Sequence, residues 1–326
     1  MSDNSSCTLV TGGTGFIGRR LVQRLLANHG KIRVLGRRPM VRWRSEPRIE
    51  HIRADISEPG LIEPLLEGVG TVYHLAAATE GNADDYERVT VGATKELLYS
   101  LDRKGGGRVI FVSSLSVYDS SSMHGDCVID EGFPLEKRPT ERGLYARSKS
   151  EAEEVARSYL GHPSVKLTIV RPGLVYGPGA KSVLNGAALS VKGRLLVTVG
   201  KKRRLPLIFV DDLAEMLVRL AASPATAGAI YNAAGPDRPT VAEFLELYRE
   251  QSGDRRLGVN VPLQSLVPVL RVVDRLSLLT GRRLSLAAIA ARLAADVALS
   301  ADRIRREVNM DSMVGWRDGL RATYPR

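Results

Sequence analysis

Residues Thr8-Leu9-Val10-Thr11-Gly12-Gly13-Thr14-Gly15-Phe16-Ile17-Gly18 constrain the fold of this chain more than any other stretch. A short β-prone run ends in a glycine turn, and an amphipathic helix (Phe16, Ile17, Leu21, Val22, Leu25, Leu26) begins at once. Gly12, Gly15 and Gly18 stand three apart. The first permits a tight turn, the second lets backbone approach a pyrophosphate, and the third lets helix pack closely on strand. The helix start then offers free N–H groups and a positive dipole end to phosphates. A glycine trio alone is often a plain turn. Placed between strand and helix, it points to dinucleotide binding.

Strand and helix signals go on alternating beyond that turn. Ile32–Leu35, Ile49–Arg53, Thr71–Leu75, Arg108–Ser113 and Lys166–Val170 read as strands. Helices are expected through Leu61, Leu65 and Leu66, over Asp84–Leu101, and from Tyr145 onward. This alternation predicts an α/β protein with a doubly wound parallel sheet. Right-handed crossovers bring the C-terminal strand ends to one edge. Those ends carry the glycine turn, Gly36/Arg37, Asp55, Ala76/Ala77 and Ser113/Ser114. Beyond Val175 the pattern changes. A helix is expected near Leu184–Val191, then the basic run Lys201-Lys202-Arg203-Arg204, a strand Ile208–Val210, a helix to Leu220 and a strand Ala229–Asn232. Thr240 and Glu243 have the spacing of a capping box.

With 326 residues, 44% hydrophobic and 25% charged, the chain can bury a full core as an ordinary globular protein. Cys7 and Cys127 form no disulfide framework, which suits a reducing, cytoplasmic compartment. Six residues precede the first strand, too few for a signal peptide, and no apolar run is long enough to span a membrane. The five His show no metal-ligand spacing. A formal charge of +11 invites acidic partners, either nucleic acid, a membrane surface or phosphorylated small molecules. The arginines are spread widely, which argues against a nucleic-acid stripe. A merely solvated basic surface is the competing reading.

Tyr145-Ala146-Arg147-Ser148-Lys149 sets a tyrosine and a lysine at i and i+4 on one helix face. A free phenol has a pKa of about 10 and is a poor base at neutral pH. A fixed ammonium beside it lowers that value, and two units require about 2.7 kcal/mol. Such a phenol can pass a proton to or from a substrate oxygen while hydride moves to or from a nicotinamide. A hydroxyl from Ser114, at the end of the fifth strand, can hold the same oxygen. The Tyr/Lys spacing is short enough to arise by chance. Its place at the start of the helix after strand five gives it weight.

Together with His74-Leu75-Ala76-Ala77, Ser113-Ser114 ahead of Val117-Tyr118, Arg171-Pro172-Gly173, Tyr176-Gly177-Pro178-Gly179 and Phe209-Val210-Asp211-Asp212, these motifs resemble the extended short-chain dehydrogenase/reductases. More narrowly, they resemble the NAD-dependent epimerase/dehydratase family, close to nucleotide-sugar 4-epimerases and 4-ketoreductases. The resemblance implies a Rossmann domain over 1–176, rejoined by 207–235, and a smaller C-terminal substrate domain over 177–206 and 236–326. It also implies a homodimer. Tyr145 would be the acid/base and Ser114 the contact to the reacting oxygen, while Lys149 would bind the nicotinamide ribose and tune the tyrosine. Gly12, Gly15, Phe16, Ile17, Gly18, Leu75, Ala76, Ala77 and Pro172 would line the cofactor. Asp55 and Ile56 would flank adenine, although a strand-terminal Asp capping a helix is a second reading of Asp55. The family's Asn on the helix before strand five is Thr90 here, and the Gly after Val117-Tyr118 is Asp119.

In relatives that prefer NAD, an acidic residue at the end of strand two binds the adenosine ribose. Gly36 stands there, followed by Arg37 and Arg38. The missing carboxylate and the two guanidinium groups lean toward a 2′-phosphate, hence NADP over NAD, unless the arginines are solvated loop charges. The acidic pair of the family's dehydratases is replaced by Leu115-Ser116, which disfavours dehydration. The expected activity is epimerisation or reduction at C4 of a nucleotide sugar, with Thr79, Ser116, Lys181 and Arg204 as candidate substrate contacts. The alternatives are an NADPH-dependent reductase of a hydrophobic ketone, or a dinucleotide- or RNA-binding protein on this fold. The Ser114/Tyr145/Lys149 set opposes the last. Pro262–Gly281 reads as a packed substrate-domain helix or as a basic amphipathic helix touching membrane.

Overall fold

The computed structural model describes residues 7–28, 30–40, 43–123, 126–184, 186–261 and 296–325, with 268, 270, 272 and 275. The expected elements in Pro262–Gly281 lie outside the described residues, apart from those four positions. In chain order the first half runs β1 (Cys7–Thr11), α1 (Phe16–Asn28), β2 (Ile32–Leu35), β3 (Ile49–Ile52), α2 (Ile62–Leu65), β4 (Val69–His74), α3 (Ala83–Tyr86), α4 (Ala93–Arg103), β5 (Gly107–Val112), β6 (Asp126–Ile129) and α5 (Leu144–Arg157). The second half runs β7 (Val165–Pro172), β8 (Leu174–Tyr176), β9 (Leu189–Val191), β10 (Leu195–Val199), β11 (Leu207–Phe209), α6 (Val210–Ala222), β12 (Ile230–Ala233), α7 (Val241–Ser252), β13 (Leu257–Val261), β14 (Asp296–Leu299), α8 (Asp302–Glu307) and α9 (Trp316–Thr323).

Among the described residues, β12-β7-β5-β4-β1-β2-β3 form one sheet, every neighbouring pair parallel. The order reverses direction between β1 and β4, the switch point of a Rossmann sheet. Both faces are covered, so the central strands carry apolar residues toward both sides. Alternate residues feed two cores: Leu9, Val72, Val109 and Ile169 pack with Leu97, Leu98 and Ala152, while Val10, Tyr73, Ile110 and Val170 pack with Leu21, Leu25, Leu213 and Leu217. A third cluster, with Tyr176, Leu196, Leu205, Phe209, Phe244 and Trp316, belongs to the later part of the chain.

Two expectations are corrected here. Residues 189–191 form β9, paired antiparallel with β10, where the spacing predicts a helix. The single helix expected over Asp84–Leu101 is three pieces, because Glu87–Gly92 winds as a π-helix between α3 and α4. The Thr240/Glu243 box does cap α7, each side chain taking the other residue's backbone N–H.

Candidate active site

The C-terminal ends of β1, β4 and β5 and the start of α5 meet at the switch point. Gly12 adopts φ +68°, and a Cβ there would lie 2.8 Å from the Ala76 nitrogen. A Cβ on Gly18 would overlap the Gly12 carbonyl oxygen, so helix and turn touch backbone to backbone. Gly15 is exposed, and a Cβ there would meet only the Gly12 oxygen at 3.0 Å. The turn is therefore tight on the protein side and open on the cleft side, which fits a pyrophosphate over the start of α1. Phe16 and Ile17 are half-buried at that start, as are Leu75, Ala76 and Ala77 beyond β4.

Position 36 has a steric reason to be glycine: a Cβ there would collide with the Thr14 side chain. The exposed Arg37 guanidinium reaches the Asp55 carboxylate at 3.5 Å, and Arg38 is also exposed. Asp55 folds back on its own chain through Oδ1, which accepts from the Ser57 N–H and hydroxyl. Burial pushes its pKa up, but those two bonds and Arg37 together outweigh it and hold the carboxyl below its usual value. Ile56 is buried in the core.

Ser114 Oγ accepts from the Ser116 N–H at 3.1 Å. Its own proton is free to donate to the Tyr145 phenol. Burial lifts that phenol above its ordinary pKa, the Ser114 bond works against the rise, and the nearby Tyr86 adds to it. Lys149 is buried, with Nζ donating to the Val112 carbonyl at 2.7 Å and lying 5.5 Å over the Phe111 ring. Desolvation lowers its pKa to about 8, with Glu153 pulling it back up. In this state the Lys149 ammonium donates to the Val112 carbonyl, while the Tyr145 side chain stays partly exposed to the cleft.

Below these groups runs a buried polar network that sequence reasoning missed. Glu153 follows Lys149 by one helical turn. Its carboxylate receives Ser113 Oγ at 2.5 Å and Arg171 through Nε at 3.1 Å and Nη2 at 2.5 Å. Arg171 also donates to the Tyr118 hydroxyl at 2.9 Å, and Tyr118 donates to Asn232 at 2.5 Å. Pro172, next to Arg171, is buried at the end of β7. Thr90, at the family's Asn position, takes the Ala78 N–H at 3.0 Å. Asp119 accepts from the Ser121 N–H and closes a short 3₁₀ turn.

The candidate substrate contacts scatter. Thr79 is exposed, and Ser116 is buried with no hydrogen-bond partner for its hydroxyl among the described residues. Lys181 pairs with Glu80, and Arg204 pairs with Asp296 at 3.4 Å, an acid that Arg238 shares at the same distance. The structure does not bring Lys181 and Arg204 to a common partner.

A profile of the NAD dependent epimerase/dehydratase family matches residues 8–234. A 3β-hydroxysteroid dehydrogenase/Δ5→4-isomerase of Mycobacterium tuberculosis is 32% identical over 227 residues, covering 66% of this chain and 60% of that protein. The match thus spans less than two thirds of that relative's length. A ceramide reductase of Caulobacter vibrioides is 26% identical over 283 residues, 86% of this chain and 81% of that one. The solved dTDP-glucose 4,6-dehydratase of Streptomyces venezuelae with NAD bound is 26% identical and superposes with a TM-score of 0.74, over 98% of this chain and 95% of that one. A family match of that extent, on this sheet and this glycine turn, makes the chain a member of the NAD-dependent epimerase/dehydratase family within the extended short-chain dehydrogenase/reductases.

Proposed function

We propose that this chain is an NADPH-dependent reductase that converts a ketone on an apolar, lipid-like substrate to a secondary alcohol. The observation that carries it is the Ser114–Tyr145 hydroxyl pair on the sheet edge that also holds the glycine turn. Bound there, a nicotinamide supplies the hydride. Tyr145 is a phenol at neutral pH, since an ordinary phenol has a pKa of about 10, and gives a proton to the substrate oxygen. Ser114 holds that oxygen. Lys149 offsets the charge left on the tyrosine.

The choice of cofactor follows from position 36, where Thr14 leaves no room for a ribose-binding carboxylate, and from Arg37 beside it. An exposed ion pair such as Arg37–Asp55 is worth ~0–1 kcal/mol, so a 2′-phosphate competes for that guanidinium on good terms. The substrate class is supported by Lys181 and Arg204, each already facing a carboxylate. A substrate domain over 177–206 and 236–326 is supported by the third apolar cluster.

A second reading, action at C4 of a nucleotide sugar with recycled NAD, is favoured by one feature: Arg204 and Arg238 share the single carboxylate of Asp296. The two guanidiniums leave a net positive charge for a diphosphate. The test compares a long-chain or sterol ketone with a nucleoside-diphosphate 4-ketosugar, following NADPH consumption. Tyr145→Phe is expected to keep the dinucleotide and lose turnover by ~10²–10⁴-fold. Unchanged turnover would sink the assignment, and turnover of the ketosugar alone would select the second reading.

A further inference from the structure

The three-stranded sheet β13-β10-β9 has its apolar side turned outward. Its register pairs Leu195 with both Val191 and Leu257, and Val197 with both Leu189 and Val259. Directly opposed residues share a face, so these six aliphatic side chains form one continuous surface. Leu189 is 62% exposed and Leu257 65%, and Val191 and Val259 are exposed as well. Among the described residues, none of the three apolar clusters takes up any of the six. The other side of the sheet is ordinary: Leu196 is buried in the third cluster.

Cations rim this face at both ends of β10. Lys192 and Arg194 occupy the turn from β9, and Lys201 and Lys202 follow the far end of the strand. All four are exposed, with no ion-pair partner among the described residues.

We infer that this sheet face docks on an anionic lipid bilayer. The aliphatic side chains enter the boundary of the acyl region while the four cations meet headgroups, and the chain's charge of +11 adds long-range attraction. A contiguous exposed apolar patch marks an interaction surface. The six residues include no tyrosine, tryptophan or arginine, the anchors in which protein interfaces are enriched, so a bilayer fits better than a protein partner. No helix among the described residues is long and apolar enough to cross a membrane. It stands apart from the proposed reaction, because binding is read without cofactor or substrate.

The experiment is co-sedimentation of the full chain with vesicles of phosphatidylcholine, with and without phosphatidylglycerol. Binding is expected to the anionic vesicles, to weaken in high salt, and to fall by ~10-fold or more in Leu189→Ser/Leu257→Ser and in Lys201→Glu/Lys202→Glu. The serine variant is expected to melt at the native temperature, since both side chains face solvent. Absence of binding to anionic vesicles overturns the inference, as does equal binding by the lysine variant. A large fall in melting temperature for the serine variant means the face is packed within the chain and also overturns it. So does a native dimer, dispersed by the serine changes in sedimentation velocity, that ignores vesicles.

Discussion

Lys149 is the side chain whose environment most limits the chemistry. Its amine is buried, its pKa is brought from 10.5 to about 8, and the one group raising it is Glu153. Below pH 8 it is an ammonium one helical turn beyond Tyr145, and as pH rises through that value the charge is lost. Turnover that depends on the ammonium therefore declines on the alkaline side, with a midpoint near the lysine's pKa. Glu153→Gln keeps an acceptor for Ser113 but removes the charge, so burial acts on Lys149 unopposed and its pKa drops further. Turnover measured against pH, with the folded fraction checked by melting, is expected to show the alkaline limb displaced to lower pH. A limb that stays where it was would mean Glu153 does not act on Lys149.

The same carboxylate joins three elements: Glu153 on α5 receives Ser113 from the end of β5 and Arg171 from β7. Arg171 and Glu153 are 0% and 1% exposed, so neither charge has water to fall back on. Arg171→Met strands the carboxylate and is expected to cost ~3–5 kcal/mol in urea unfolding, whereas Arg171→Met with Glu153→Met recovers most of that loss. A single-variant cost under ~1 kcal/mol would show that the pair does not clamp these elements. In the sequence a glutamate mid-helix reads as a solvated charge, and only the crossover from α5 to β7 puts an arginine against it. Short-range signals fared better: glycine turn, alternating strands and the Thr240/Glu243 cap were all legible because each is decided within a few residues. Residues 189–191 were not. Leu184, Ala187, Ala188 and Val191 have helical spacing, but Gly186 at φ +77° breaks the turn and pairing with β10 decides the rest. The π-turn at 87–92 leaves no mark in apolar spacing at all.

Across the molecule, the doubly wound sheet was legible because both of its faces are covered, so its strands spell themselves as apolar runs. The electrostatics around the candidate site were not legible: Thr14 against Gly36 depends on β1 lying beside β2, His74 on β4 lying beside β1, and Tyr86 near Tyr145 on α3 meeting α5. His74 shows what that packing does to the whole protein. Its Nδ1 accepts from Thr11 Oγ1 at 2.7 Å, and Nε2 faces Thr94 Oγ1 at 3.0 Å. Thr94 gives its own proton to the Thr90 carbonyl, so it can only accept, and Nε2 carries the hydrogen. The ring is thus held neutral, and desolvation with help from Lys149 lowers its pKa from 6.5 to about 3. A histidine depressed in this way binds fewer protons folded than unfolded, so stability is present above pH 6.5 and is lost as pH falls from there toward 3. Asp212 acts with the opposite sign: burial raises it from 3.8 to about 6, so its contribution is largest in acid and fades as pH rises through 6. His74→Gln keeps a donor and an acceptor in the chain of threonines but cannot take up a proton. Urea midpoints followed from pH 7 down to about 4 should therefore fall for the native protein and fall less for His74→Gln, which keeps the lowered carboxylates such as Asp55 but lacks the histidine's acid loss. Parallel curves for the two proteins would show that acid sensitivity arises elsewhere.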